Sequence, residues 1–276
     1  MLPNLIVIGA ERCGTTSLHL YLDRHPQISM SDQKELNFFV AERNWQRGRA
    51  WYERRFSASA AVRGESSPAY TAYPDFDGVP ARIAALIPEA KLIYLVRDPV
   101  ARTISALHLA RALGSERRPP AEALTSLDTS PYVARSRYAT QLERYLEHFP
   151  IETIKVVDSD ALRHRRAETL REIFSFLGVQ EDAWHPEMDS EIGTAKLRKR
   201  NIAGRALWGI GRRTIGDPRT RGLMRRTPAW VSAPVTASLP PIELDAELRR
   251  ELEVVLTDEV ARLRDMTGLR FEAWSL

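Results

Sequence analysis

The stretch Leu5-Ile-Val-Ile-Gly9, followed by Ala-Glu-Arg12-Cys13-Gly14-Thr15-Thr16-Ser17-Leu18, constrains the fold of this chain more than any other part of it. Four aliphatic residues running into a glycine predict a short strand buried on both faces, as in the middle of a parallel sheet. The pair Gly9-x4-Gly14 predicts a tight turn, and the Thr/Ser-rich residues after Gly14 open a helical pattern. Strand, turn and helix in immediate succession make a cradle in which loop amides and a helix N-terminus point at a bound anion.

The rest of the chain repeats the alternation of strand and helix. The first helix is expected from Thr15 to about Arg24, ended by His25-Pro26, because the residue before a proline is pushed out of the helical region. Val62-Arg-Gly-Glu65 reads as a weak strand running into the turn-forming Ser66-Ser67-Pro68-Ala69-Tyr70. A helix over 79–87 precedes the second strong strand, Lys91-Leu-Ile-Tyr-Leu-Val-Arg97, and Asp98-Pro99 then caps and starts another helix with Ser105 two turns along. The segment 114–129 reads as a mobile loop, a lid or acceptor contact. A long amphipathic helix is expected from Ser130-Pro131 to Phe149, a third core strand at Ile154–Asp158, a helix ending at Gly178, and a closing helix from Ile242 through Leu263. This order predicts one α/β domain over residues 1–276, a three-layer α/β/α arrangement around a central parallel sheet.

Composition narrows the function classes. With 276 residues, 43% of them hydrophobic, the chain has material for a full core. No run approaches the roughly 18–20 apolar residues of a membrane span, and no basic region with an apolar signal core opens the chain, so a cytoplasmic protein without membrane insertion is expected. The single cysteine, Cys13, excludes an intrachain disulfide framework. Cys13 is either an activated thiol near a helix N-terminus or a small residue that fits the turn. No His/Asp/Glu cluster has metal-ligand spacing, so no metal is expected. The formal charge is +4, with eleven Lys and Arg between Lys196 and Arg226 against the single acid Asp217, which points to an anionic ligand. That basic stretch lacks interleaved aromatics and a reader motif, so nucleic acid is not the expected partner.

The glycine spacing of the first loop matches the nucleotide-binding P-loop, but Thr15 stands where that motif has its lysine, with Arg12 as the alternative cation. Gly-x-x-Arg-x-Gly-Thr-Thr-Ser-Leu is similar to the 5′-phosphosulfate loop of sulfotransferases that use 3′-phosphoadenosine 5′-phosphosulfate (PAPS). Lys34-Glu35-x-x-Phe38-Phe39 resembles the element that delivers the acceptor-activating glutamate in the heparan sulfate sulfotransferase group, and Ser67-Pro68-Ala69-Tyr70 resembles the segment beside its active site. Arg97-x7-Ser105 resembles the arginine and serine that hold the nucleotide's 3′-phosphate. The resemblance runs from Asn4 to Trp274. It implies a P-loop nucleotide-hydrolase-like fold, PAPS as donor and 3′,5′-ADP (PAP) as product, and no required metal.

The resemblance also distributes roles. Arg12, Cys13, Gly14, Thr15, Thr16 and Ser17 hold the 5′-phosphosulfate; Arg97 and Ser105 hold the 3′-phosphate; Lys196 and Arg198 close over it. Arg12 stands where many relatives have a lysine on the bridging oxygen, and it neutralises charge without giving up a proton, leaving water or Lys34 as proton source. Glu35 is the general base for a hydroxyl or amine acceptor, its carboxylate tuned by partial burial. His108, one turn beyond Ser105, is the rival base. The acceptor, a carbohydrate, glycolipid or small metabolite, and the oligomeric state are not readable from the chain. The alternatives are a P-loop nucleotide kinase and a nucleotide-binding module without catalysis.

Overall fold

Leu5, Ile6, Val7 and Ile8 have no solvent exposure, because the strand they form has a parallel neighbour on each side. The structure, a computed structural model, describes residues 1–57, 59–189 and 240–276, together with the backbone of 198–200 and 236–238. In chain order the elements are β1 (Leu5–Gly9), α1 (Thr15–Leu22), β2 (Ile28–Met30), α2 (Gly48–Glu53), β3 (Val62–Ser66), α3 (Val79–Leu86), β4 (Lys91–Val96) and α4 (Pro99–Leu113). They continue with α5 (Pro120–Ala123), α6 (Pro131–Ala134), α7 (Tyr138–Leu146), β5 (Ile154–Asp158), α8 (Ser159–His164), α9 (Arg166–Leu177), β6 (Arg198–Arg200), β7 (Thr236–Ser238) and α10 (Ala246–Thr267).

Five of the strands form one all-parallel sheet in the order β2-β3-β1-β4-β5, with Ile6 lying between Glu65 and Leu92. The central parallel sheet of an α/β fold is therefore as expected. Right-handed crossovers send α1 to one face and α3 and α4 to the other, because β1 leads towards β2 while β3 and β4 lead the opposite way. α9 returns to the α1 side, where the Phe174 ring lies 4.5 Å from that of His25. Each aliphatic side chain buried in β1 and β4 contributes about 1.5–3 kcal/mol relative to exposure.

Gly9 ends β1 for a steric reason: a Cβ there would sit 1.9 Å from Thr71 Oγ1, in the turn Pro68–Thr71 that follows β3. Most element boundaries match the sequence expectation. α1 stops at Leu22, two residues short of Arg24, and Gly178 and Gly268 close α9 and α10 with φ of 73° and 69°.

Three expectations are corrected. β2 was not anticipated. The single helix expected over 130–149 is two, α6 and α7, because the residues between them are used elsewhere: Arg135 reaches Glu11 at 2.8 Å and Asp75 at 2.7 Å, and Ser136 Oγ accepts from Arg102 at 3.1 Å. The segment 114–129 is anchored and does not hang as a free lid. Leu124 is fully buried in a second apolar cluster with Leu252 and Leu256 of α10, and Glu116 accepts from the Arg118 guanidinium at 2.7 Å and from Tyr132 Oη at 3.2 Å.

Candidate active site

β1 and β4 are neighbours whose following connections leave in opposite directions, and such a switch point opens a crevice at the carboxyl ends of the strands. A cleft of about 590 Å³ lies there. Its wall is built from the turn after β1 (Glu11, Arg12, Gly14), the first turn of α1 (Thr15, Thr16, Ser17), Lys34 and Glu35, Pro68, Arg97 after β4, and residues of α4, α8 and α9.

The turn is shaped for an anion. Gly14 takes φ of 90° at the N-cap of α1, and no side chain caps the helix. The first-turn amides have no intrahelical acceptor, so they and the helix dipole favour negative charge in the cleft. Beneath the turn lies Arg102, fully buried, donating from Nε to the Glu11 carbonyl at 3.1 Å and from Nη1 to the Tyr132 carbonyl at 2.7 Å. Arg97 Nη1 donates to the Arg12 carbonyl at 3.3 Å, so the β4 arginine and the loop share one edge of the cleft.

Arg12 adopts φ of 72° and its Nε donates to Ser105 Oγ at 3.0 Å. Burial lowers its pKa, with Glu11 opposing and the Arg97 and Arg102 cations adding to the shift. The resemblance places Arg12 and Ser105 at opposite ends of a nucleotide; the structure joins them directly. Arg12 lines the cleft, whereas Ser105 is not among its lining residues.

Lys34 and Glu35 add a further part of the wall. Their side chains pair at 2.7 Å, and the Glu35 side chain is 55% exposed. The pair follows from a left-handed backbone: Glu35 has φ of 64° and Asn37 φ of 48°, while the Glu35 amide donates to the Ser66 carbonyl at 2.9 Å. Phe38 and Phe39, buried, pack under this segment against Tyr52. The aromatic run Trp45 to Phe56 accordingly joins the core: Tyr52 and Phe56 are buried, and Trp45 and Trp51 pack against them.

Not every expected residue reaches the cleft. Cys13 is fully buried with Sγ 3.6 Å from Tyr138 Oη, and burial pushes its thiol pKa up, so it is the small turn residue and not an activated thiol. His108 does not line the cleft; its Nε2 is buried and has no hydrogen-bond partner among the described residues. Lys196 lies outside the described residues. Arg198 opens β6, whose backbone runs beside α4, the helix of Ser105.

Sequence reasoning missed one wall. Ser159, Leu162, Arg163 and Arg166 line the cleft from α8 and α9, with Tyr21 of α1 and Leu109 and Leu113 of α4. Arg166 lies over the Tyr21 ring at 5.1 Å and donates to the Met188 and Asp189 carbonyls at 3.1 and 2.7 Å. The position of α8 directly after β5 was the available signal, since carboxyl ends of parallel strands carry ligand groups. Among the described residues that line the cleft there are five cations (Arg12, Lys34, Arg97, Arg163, Arg166) and two acids (Glu11, Glu35). Among the described residues, no group of three or more His, Cys, Asp or Glu is placed to hold a metal ion, and no helix is long and apolar enough to cross a membrane.

Several known proteins are similar to this chain. The human bifunctional heparan sulfate N-deacetylase/N-sulfotransferase 2 is 31% identical over 202 residues, covering 64% of this chain and 22% of that protein. The human heparan sulfate glucosamine 3-O-sulfotransferase 5 is 32% identical over 191 residues, covering 64% of this chain and 54% of that protein. The chain thus spans about a fifth to a half of the length of these curated relatives. The crystal structure of a sulfotransferase from Alicyclobacillus acidocaldarius superposes over 100% of both chains, with a TM-score of 0.72 and 25% identity. The family model described as "Sulfotransferase domain" matches residues 2–199, which include the loop after β1, Glu35 and the Arg97–Ser105 segment, and the chain belongs to that family.

Proposed function

We propose that this chain transfers a sulfuryl group from PAPS to a hydroxyl or amine of a carbohydrate-like acceptor. The observation that carries this reading is the meeting, in one cleft, of the uncapped α1 N-terminus, Arg97 and the Lys34–Glu35 pair. The donor set fits an anionic nucleotide: amides and cations dominate, and Gly14 leaves the turn open. When bound, PAPS supplies a sulfuryl group on a phosphate that is already a weak base.

The chain's own residues supply position, charge and a proton acceptor. The Gly14–Ser17 amides hold the 5′-phosphosulfate, with Thr15, Thr16 and Ser17 forming the first turn around it. Arg97 and Ser105 are assigned to the 3′-phosphate, and Arg12, which donates to Ser105 here, turns from it towards the departing phosphate to neutralise charge there while staying protonated. Glu35 takes the proton from the acceptor as the bond from sulfur to the acceptor atom forms and the bond from sulfur to the phosphate oxygen breaks. Lys34, paired with Glu35, must release that carboxylate for it to act, and is then a cation beside the transferred group. Arg198, on β6 beside α4, and Lys196 are assigned to closing over the 3′-phosphate. The chemistry assigned here needs no metal.

The acceptor class is drawn from the relatives, whose names cover a heparan sulfate N-sulfotransferase and a heparan sulfate glucosamine 3-O-sulfotransferase. Calorimetric titration with PAP, with AMP and ATP·Mg²⁺ as controls, tests the donor. PAP is expected to bind at least tenfold more tightly than either. Preference for ATP·Mg²⁺ would make the chain a kinase. Transfer of label from ³⁵S-PAPS to N-deacetylated heparosan and to desulfated heparan sulfate then tests catalysis; PAP binding with no transfer to any acceptor would favour a module without catalysis.

A further inference from the structure

Glu65, at the carboxyl end of β3, is fully buried, and its hydrogen-bond partners are three hydroxyls. Oε2 accepts from Ser67 Oγ at 2.6 Å; Oε1 accepts from Tyr52 Oη at 2.6 Å and from Tyr70 Oη at 2.8 Å. Burial pushes its carboxyl pKa up, and the hydroxyls of Ser67, Tyr52 and Tyr70 counter this. A buried carboxylate is a costly way to fill a core, so the arrangement needs a reason beyond packing.

The reason lies in polarity. A carboxylate only accepts, so it takes the hydrogen of each hydroxyl and leaves each oxygen's lone pairs facing away from it. Two of those oxygens then accept backbone amides from one short segment: Ser67 Oγ from Asn37 N at 3.0 Å and Tyr70 Oη from Phe39 N at 3.3 Å. The Glu35 amide meets the Ser66 carbonyl in the same row. Amides 35, 37 and 39 are thus pinned on the end of β3 and the turn after it, across a stretch in which Glu35 and Asn37 hold a left-handed backbone, one that asparagine tolerates and that is uncommon for glutamate. Asn37 Nδ2 closes the turn on the Glu35 carbonyl at 3.0 Å.

We propose that Glu65, acting through Ser67 and Tyr70, is a positioning residue that fixes the Glu35–Phe39 segment and so sets where the Glu35 carboxylate stands in the cleft. The consequence for catalysis rests on Glu35 being the base. The positioning itself does not.

Amide hydrogen exchange on the full chain tests it, with three variants that should give three patterns. Ser67→Ala should speed exchange at Asn37 by tenfold or more with a smaller effect at Phe39, and Tyr70→Phe the reverse. Glu65→Gln touches neither amide. It should nevertheless speed both, because a glutamine head also donates and no longer fixes the direction of the hydroxyls. In Glu65→Gln the ¹³C-carboxyl resonance of Glu35, identified by its loss in Glu35→Gln, should move, while PAP affinity stays within twofold. Wild-type exchange at Asn37 and Phe39 in Glu65→Gln would overturn the proposal, as would equal acceleration throughout β1 and β4, which would make Glu65 a general support of the sheet. Full turnover by Glu35→Gln, measured separately, would remove the base assignment and leave the exchange pattern to decide the positioning.

Discussion

At the cleft, Glu35 presents a half-exposed carboxylate whose Oε1 lies 2.7 Å from Lys34 Nζ. An exposed, paired carboxylate works as a base only through where it stands relative to the acceptor, and Glu35→Gln keeps its shape while removing that function. Turnover should fall by about 10² or more with PAP affinity unchanged in calorimetry, the size expected for a lost general base; full turnover would end the assignment. Arg97 invites a second test, because it touches the loop carbonyl of Arg12 and lines the same cleft. Arg97→Ala should weaken PAP by about tenfold or more and AMP far less, the loss of a charge-assisted contact to the 3′-phosphate being worth roughly 1.5–3 kcal/mol. Equal losses for both nucleotides would place Arg97 away from that phosphate.

Among the elements, α4 carries much of the site, since it puts Leu109 and Leu113 on the cleft wall, Ser105 against Arg12 and Arg102 beneath the loop. Its start is fixed by Asp98, whose Oδ1 accepts from Ala101 N at 2.7 Å while Oδ2 accepts from Ser275 N and Oγ at 2.6 and 2.7 Å. Asp98→Ala should cost about 1–2 kcal/mol in urea unfolding, the range for a lost helix cap, and Asp98→Asn clearly less because it keeps the acceptor for Ala101. Equal costs would mean that the contact to Ser275, and not the cap, carries the effect. This helix was readable in the sequence because Asp98-Pro99 is local chemistry, as is the strand-turn-glycine signal of β1. β2 was not readable, since three residues, Ile28–Met30, are too few to show a period and become a strand only by pairing with β3. The break between α6 and α7 was hidden for a related reason: it is drawn by Glu11 and Asp75, far away in sequence. The α8–α9 wall of the cleft and the burial of Glu65 likewise come from topology, which brings together residues that no spacing rule connects.

For the molecule as a whole, acid stability turns on how the site is packed. His19 sits on α1 with 7% exposure, its Nδ1 3.1 Å from Ser66 Oγ, and its pKa is lowered to about 4 from an ordinary 6.5, by burial first and then by Lys34, with Asp23 opposing. The unfolded chain takes up a proton at this residue near pH 6.5, whereas the folded chain resists it until about pH 4. Between those values the unfolded state binds more protons, so stability is full above about pH 6.5 and falls as pH drops, by about 1.4 kcal/mol per unit. From pH 7 to 4.5 this amounts to roughly 2–3 kcal/mol. Glu116, lowered to about 2 chiefly by the Arg118 hydrogen bond, gives up its contribution as pH falls from the ordinary carboxylate value towards 2, so its loss only begins at the lower end of that interval and, being common to wild type and variant, cancels in their difference. Buried Glu65 acts in the opposite sense, because its carboxyl is raised, but it is common to wild type and variant and cancels in their difference. Urea unfolding of wild type and His19→Gln at pH 7 and 4.5 isolates the term: the loss between the two pH values should be smaller in the variant by about 2–3 kcal/mol. Equal losses would mean that the folded protein accepts a proton at His19 as readily as the unfolded chain does, and the helix behind the candidate phosphosulfate loop would then tolerate a charge that its burial argues against.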